Sequence, residues 1–304
     1  LSDGIEIKSY LQQCAAIVEQ SLANVLPAEW DVPGKLRESM MYSLEAGGKR
    51  IRPALVLAAA EAIQGKSSAA ENALPVACSI ECIHTYSLIH DDLPAMDDDD
   101  YRRGKLTNHK VFGEAMAILA GDALLTHAFH LIPQAARKGG IDAQAALDIV
   151  EDLAMLAGAR GMVGGQVADV LGEQGVTSIE ELEYIHLHKT SDLIVFSVTA
   201  GARIGGASPA QLELLEQYGR NIGLAFQIQD DILDLIGDEA KLGKKTNSDV
   251  AQQKVTYPYL IGIDESKSQV KRLTREAKAA VLEAELAMPK RLLEIADYLV
   301  QREY

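Results

Sequence analysis

The stretch Phe226-Gln227-Ile228-Gln229-Asp230-Asp231-Ile232-Leu233-Asp234 decides the architecture. It sits in a segment, Gly219 to Ile236, that is apolar almost all round at helical spacing. A helix without a polar face belongs inside a helical bundle. Carboxylates on such a helix are costly unless something cationic meets them. Asp230 and Asp234 are four residues apart, so they share one face, within roughly 40° at 3.6 residues per turn. Like charges placed there repel unless an ion bridges them. Oxygen-only donors select a hard cation, and magnesium is the natural one. Asp234 can also be read as a surface or supporting carboxylate.

A second segment, Pro75 to Leu93, is also apolar nearly all round, and it ends in Asp91-Asp92-Leu93-Pro94-Ala95-Met96-Asp97 followed by Asp98 to Asp100. On an unbroken helix Asp91 and Asp97 would lie roughly 120° apart and could not easily share a metal. Pro94 predicts the way out. It ends or kinks the helix, so the chain curls and Asp97 returns toward Asp91. Asp98 to Asp100 read as a solvated acidic turn. Magnesium usually takes a few carboxylates together with substrate phosphates, so two carboxylate clusters predict a phosphate-rich substrate between them.

Around these two segments, apolar residues recur at helical spacing and no strand is evident. Turn signals divide the chain into about ten helices. They include Pro33-Gly34, Gly47-Gly48, Gly65 to Ser68, Gly139-Gly140, Gly172 to Gly175, Gly205-Gly206 and Gly237-Asp238. Ser178 with Glu181, and Ser208 with Pro209 and Gln211, predict two capped helix starts. No linker or repeat interrupts the 304 residues, which read as one all-helical domain, 1–304.

The net charge of −15 argues against nucleic-acid or anionic-membrane partners. The opening Leu1 to Gly4 does not read as a signal peptide, and no apolar run reaches the roughly 20 residues of a membrane span. Three cysteines, Cys14, Cys78 and Cys82, suggest reduced thiols and a cytoplasmic protein. In so acidic a chain any anionic substrate needs local cations. They occur as Lys49, Arg50 and Arg52 after Gly47-Gly48, as Arg102-Arg103 after the acidic run, as Lys189 beside Thr190, and as Lys244-Lys245 in a glycine-containing loop.

Taken in order, Gly47-Gly48-Lys49-Arg50-Ile51-Arg52-Pro53, Asp91 to Gly104, Gly165-Gln166-Val167-Ala168-Asp169, Lys189-Thr190 and Phe226 to Asp234 resemble the trans-prenyltransferases, and among them the bacterial farnesyl diphosphate synthases. The resemblance runs from about Leu26 to the C-terminus. It implies an all-α orthogonal bundle of about ten or more helices around a deep central cavity, usually a homodimer. It implies condensation of isopentenyl diphosphate with dimethylallyl or geranyl diphosphate, assisted by about three magnesium ions acting as Lewis acids. The match makes Asp91, Asp97 and Asp230 metal ligands, with Asp92, Asp231 and Asp234 behind them. It assigns Arg102, Lys189 and Lys244 to the allylic diphosphate. It assigns Gly48, Lys49, Arg52, His84 and Arg103 to the isopentenyl diphosphate. Thr190 and Gln227 would face the developing cation, and the loop Gly237 to Asp249 would form a lid.

Tyr86 and Ser87, five and four residues before Asp91, are the candidate floor that limits product length. An aromatic there resembles enzymes making the C15 product, and a core aromatic with a satisfied hydroxyl is the bland reading. A C20 geranylgeranyl diphosphate synthase is the alternative reading, and an inactive partner subunit of a heteromeric synthase is another. Both aspartate motifs are intact, which speaks against the inactive subunit. A terpene cyclase would need only one diphosphate pocket, and a head-to-head synthase would lack the Gly-Gly-Lys-Arg segment. Lys49, Arg52 and Arg103 argue for a second pocket.

Overall fold

The computed structural model describes residues 6–138, 140–172, 178–236 and 255–301. The chain divides into two compact units where the sequence alone suggests one domain. The first comprises Leu1–Glu61 and Lys66–Val150, the second Ala62–Gly65 and Glu151–Tyr304.

The first unit contains α1 (Ile7–Leu22), α2 (Gly34–Leu44), most of α3 (Ile51–Gln64), α4 (Ala69–Asp91), strands β1 (Tyr101–Arg102) and β2 (Lys105–Leu106), α5 (Asn108–Phe112), α6 (Glu114–Arg137) and the start of α7 (Ala143–Ala157). Helix α1 turns Tyr10, Leu11, Cys14, Val18 and Leu22 inward, a helical stripe. Helix α4 is buried over most of its surface, as its apolar composition requires. It starts at Ala69, six residues before the apolar segment begins, because Pro75 sits inside the helix and does not open it. The cost is one intrahelical bond that Pro75 cannot donate. Ser79 Oγ donates to the Ala128 carbonyl at 2.8 Å, fastening α4 to α6. Cys14, Cys78 and Cys82 are all buried and free.

The β1–β2 hairpin corrects the strandless expectation. Arg102 pairs with Lys105, leaving Arg103 and Gly104 as a two-residue turn. Both have positive φ, +53° and +75°, as a type I′ turn demands. Two-residue strands are too short to show alternation in a sequence. Tyr42 of α2 donates to the Leu106 carbonyl at 2.8 Å, and Asn108 donates to Ser39 O and Ser43 Oγ. The hairpin is thereby pinned to α2.

Helix α6 is long and apolar enough to cross a membrane by length and composition. Its buried stripe, Ala117, Ala120, Gly121, Leu124, Ala128 and Leu131, packs in the core, while Ile118 and Leu119 of the same helix are exposed.

The second unit contains the end of α7, α8 (Met162–Gly172), α9 (Ile179–Ile185), a π-helix (His186–Ser191), α10 (Asp192–Gly205), α11 (Pro209–Ile236), α12 (Tyr257–Ile261), α13 (Ile263–Glu283) and α14 (Lys290–Val300). Ser178 and Glu181 form the expected capping box, and Ser208 and Gln211 exchange the same pair of bonds. Leu224, Ala225, Ile228 and Ile232 of α11 meet Val270 and Leu273 of α13 in one core cluster. Gly219 and Gly223 let α11 approach its neighbours. A Cβ on Gly219 would lie 2.9 Å from Val195 Cα, and one on Gly223 would lie 2.5 Å from Ser191 Oγ.

Candidate active site

In the first unit the helix carrying Asp91 ends there, and the chain curls at Pro94. The backbone N–H of Asp97 donates to the Asp91 carbonyl at 2.9 Å, and Asp98 N–H donates to Leu93 O at 3.1 Å. This six-residue turn brings Asp97 back beside Asp91, although their spacing on a helix would part them. Asp92 behaves differently. It is 3 % exposed and takes Arg102 Nε at 2.7 Å and Nη2 at 2.5 Å. Arg102 also reaches Asp99 at 3.5 Å. In this arrangement Asp92 orients Arg102 and is itself occupied.

The cations after Gly47-Gly48 divide by role. Arg50 is buried. It pairs with Glu81 of α4, donates to the Leu44 carbonyl at 2.6 Å, and lies 3.5 Å from Glu19. It therefore closes the loop and is not turned to a ligand. Arg52 Nη1 lies 3.4 Å from His84 Nε2, and Arg52 Nε is buried without a hydrogen-bond partner among the described residues. Arg103 Nη1 donates to the Gly47 carbonyl. Its guanidinium lies so close to Gly48 that a Cβ there would be 2.8 Å from Nη1. Lys49 is exposed beside them.

Burial, then Arg52 and Arg103, hold the His84 imidazole well below its ordinary range. Arg52 is itself lowered, chiefly by burial and further by Arg103. Positive groups held this closely, with a buried N–H unmet, make a site that favours a multivalent anion. Glu81 was missed in the sequence. A lone carboxylate on an apolar helix, three residues before His84, was the available signal.

In the second unit the π-helix carries Lys189 and Thr190. Gly165 of α8 packs against it, and a Cβ there would lie 2.2 Å from Lys189 N. Lys189 Nζ bonds Asp169 of α8 at 2.6 Å. On α11, Asp230 and Gln227 are half-buried, while Asp231 and Asp234 are buried. Asp231 Oδ2 accepts the Tyr257 N–H at 3.0 Å and lies 3.2 Å from His186 Nε2. His186, Tyr257 and Glu183 carried no sequence signal beyond the histidines near Lys189. Lys244, Lys245 and the loop Gly237 to Asp249 lie outside the described residues.

Tyr86 of α4 is 6 % exposed and meets the His90 ring edge-on, with centroids 5.8 Å apart. Burial raises its phenol to about 12. Its hydroxyl has no hydrogen-bond partner among the described residues. Ser87 Oγ donates to the His84 carbonyl at 2.8 Å.

A family model described as Polyprenyl synthetase matches residues 33–290. The chain is 51 % identical over 266 residues to a farnesyl diphosphate synthase of Geobacillus stearothermophilus, covering 88 % of each chain. It is 46 % identical over 305 residues to a chloroplastic geranylgeranyl pyrophosphate synthase of Catharanthus roseus, covering 99 % of this chain and 83 % of that one. Among solved structures, a geranyltransferase of Helicobacter pylori complexed with magnesium and isoprenyl diphosphate superposes with a TM-score of 0.81 at 32 % identity, covering 99 % of this chain and 98 % of that one.

Proposed function

The chain belongs to the polyprenyl synthetase family and is a prenyltransferase, and on that premise we propose that it condenses isopentenyl diphosphate with dimethylallyl or geranyl diphosphate to give farnesyl diphosphate. The observation that carries condensation is the Arg52, His84, Arg103 and Gly48 cluster of the first unit, a diphosphate-holding set separate in composition from the carboxylates. A one-substrate enzyme has no use for it. The two units work as one catalytic domain in this reading.

Asp91, Asp97 and Asp230 are the proposed magnesium ligands, with Asp234 beside Asp230. Among the described residues no three His, Cys, Asp or Glu side chains converge on a ready-made cage. That suits magnesium, which takes one or two carboxylates together with substrate phosphates. When bound, the metal neutralises charge on the departing diphosphate. Arg102, aimed by Asp92, and Lys189 hold the same diphosphate, and Lys244 is assigned there too. The allylic C–O bond breaks, and its electron pair leaves with pyrophosphate. The double bond of isopentenyl diphosphate supplies the pair for the new C–C bond. A proton then leaves the adjacent carbon to form the new double bond, and pyrophosphate accepts it. Thr190 and Gln227 turn their oxygens toward the transient positive charge.

Tyr86 limits the product to C15. Its place on α4, one turn before Asp91, supports that role. The likeness to a geranylgeranyl pyrophosphate synthase keeps a C20 product as the second reading. Exposed Ile118 and Leu119 on α6 give the proposed homodimer an apolar face. Three buried free thiols fit a cytoplasmic enzyme.

Calorimetry separates the two pockets. Isopentenyl diphosphate binds without magnesium, through side-chain cations, and Arg103→Ala weakens it about tenfold or more. A non-cleavable allylic diphosphate analogue binds only with magnesium, and Asp91→Asn removes that binding. Equal magnesium dependence for both ligands would refute the two-pocket reading.

A further inference from the structure

Asp231 follows Asp230 in the sequence but is held in another way. One of its oxygens, Oδ2, takes two contacts, the Tyr257 N–H at 3.0 Å and His186 Nε2 at 3.2 Å. The residue is 8 % exposed. The His186 ring stacks on the Tyr257 ring, with centroids 5.8 Å apart and planes 13° from parallel. The Tyr257 hydroxyl in turn donates to Glu183 Oε1 at 2.6 Å. A closed circuit therefore joins His186 of the π-helix, Asp231 of α11 and Tyr257 at the start of α12, and the Tyr257 hydroxyl ties Glu183 of α9 to it.

The circuit sits on the π-turn. A π-helix is rare and occurs mostly as a single turn within α-helices, often at functional sites. Here His186 is its first residue, with Lys189 three and Thr190 four positions on. Ser191 at its end donates to the His186 carbonyl at 3.2 Å and is pressed against Gly223. His188 Nδ1 lies 2.7 Å from Asp192 Oδ2, so both ends of the turn are tied. On α11 Asp230 and Asp231 point roughly 100° apart. The face that carries Asp230 is therefore not the face that meets His186.

We propose that Asp231, His186 and Tyr257 are positioning residues, a strut that fixes the π-turn bearing Lys189 and Thr190 to α11, and that Asp231 ligates no metal. This rests on the prenyltransferase reading for the roles of Asp230 and Lys189. It divides the adjacent aspartates by function: Asp230 serves the ligand, and Asp231 serves the scaffold. Asp231→Asn keeps an oxygen that can accept the Tyr257 N–H while removing the charge a metal would need. His186→Phe keeps the ring stack but drops the contact with Asp231.

The test measures binding of inorganic pyrophosphate with magnesium by calorimetry, together with kcat and KM for each substrate, on the full chain. For Asp231→Asn the strut predicts affinity within about tenfold of the parent, whereas Asp230→Asn loses about a hundredfold or more. For His186→Phe it predicts kcat down about tenfold with the isopentenyl diphosphate KM unchanged. Asp231→Ala and His186→Phe together lose less than the sum of the single losses, because each single variant already removes the contact between these two side chains. Asp231→Asn losing binding as fully as Asp230→Asn, or additive losses in the double variant, would overturn the strut alone. A parent protein that does not bind magnesium pyrophosphate would overturn the prenyltransferase reading, and the strut with it.

Discussion

Gly48 has φ +139°, which strains any L side chain, and a Cβ there would push the Arg103 guanidinium out of its place. Gly48→Ala should therefore raise the KM for isopentenyl diphosphate about tenfold or more while leaving magnesium activation alone. Steady-state kinetics with each substrate varied in turn checks this. Glu81 lies beneath the same loop and is the buried partner of Arg50. Glu81→Ala removes the buried counter-charge of that arginine, leaving the Leu44 carbonyl and the more exposed Glu19, and should cost about 3–5 kcal/mol in urea unfolding. His84 has a folded pKa well below the ordinary 6.5. Between those two values the unfolded chain binds the extra proton, so stability falls as pH drops below about 6.5. His84→Gln should flatten that slope of denaturation midpoint against pH. Residue identities at this site were legible in the sequence because glycines and cations stand out in an acidic, apolar chain. Pairings were not. Nothing in the linear order says that Asp92 holds Arg102, or that Arg50 turns inward to Glu81 while Arg52 keeps a buried N–H unmet.

The helices themselves follow from apolar periodicity, and most of α4 and the Gly219 to Ile236 part of α11 could be recognised as interior because neither segment has a polar face. The bend at Pro94 was legible for the same kind of reason, since a proline lacks the N–H of the helical bond and disfavours helical backbone at the residue before it. The β1–β2 hairpin and the π-helix were not. One is shorter than a strand's alternation, and the other depends on contacts from Gly165, Gly223 and Tyr257, all distant in sequence. Gly165→Ala tests how tightly the π-turn is packed. Its Cβ would enter the Lys189 backbone, so either α8 or the turn must shift. The expected result is a loss of about 1–3 kcal/mol in chemical denaturation, with a fall in kcat larger than the change in either KM. An unaltered kcat would mean that the turn can move without consequence for Lys189 and Thr190.

For the molecule as a whole, two properties are at stake, product length and the number of diphosphates consumed. If Tyr86 is the floor proposed above, removing its ring gives the growing tail more room. Tyr86→Ala should lengthen the product to C20 or beyond, read by chromatography of the dephosphorylated prenols. A chain that still stops at C15 would move the limit to another residue. Condensation is the more basic claim. Purified protein with magnesium, geranyl diphosphate and isopentenyl diphosphate should form farnesyl diphosphate and release one pyrophosphate for each new bond, with neither product formed when either substrate is omitted. Release of pyrophosphate from geranyl diphosphate alone at the same rate, or a product containing no carbon from isopentenyl diphosphate, would contradict it.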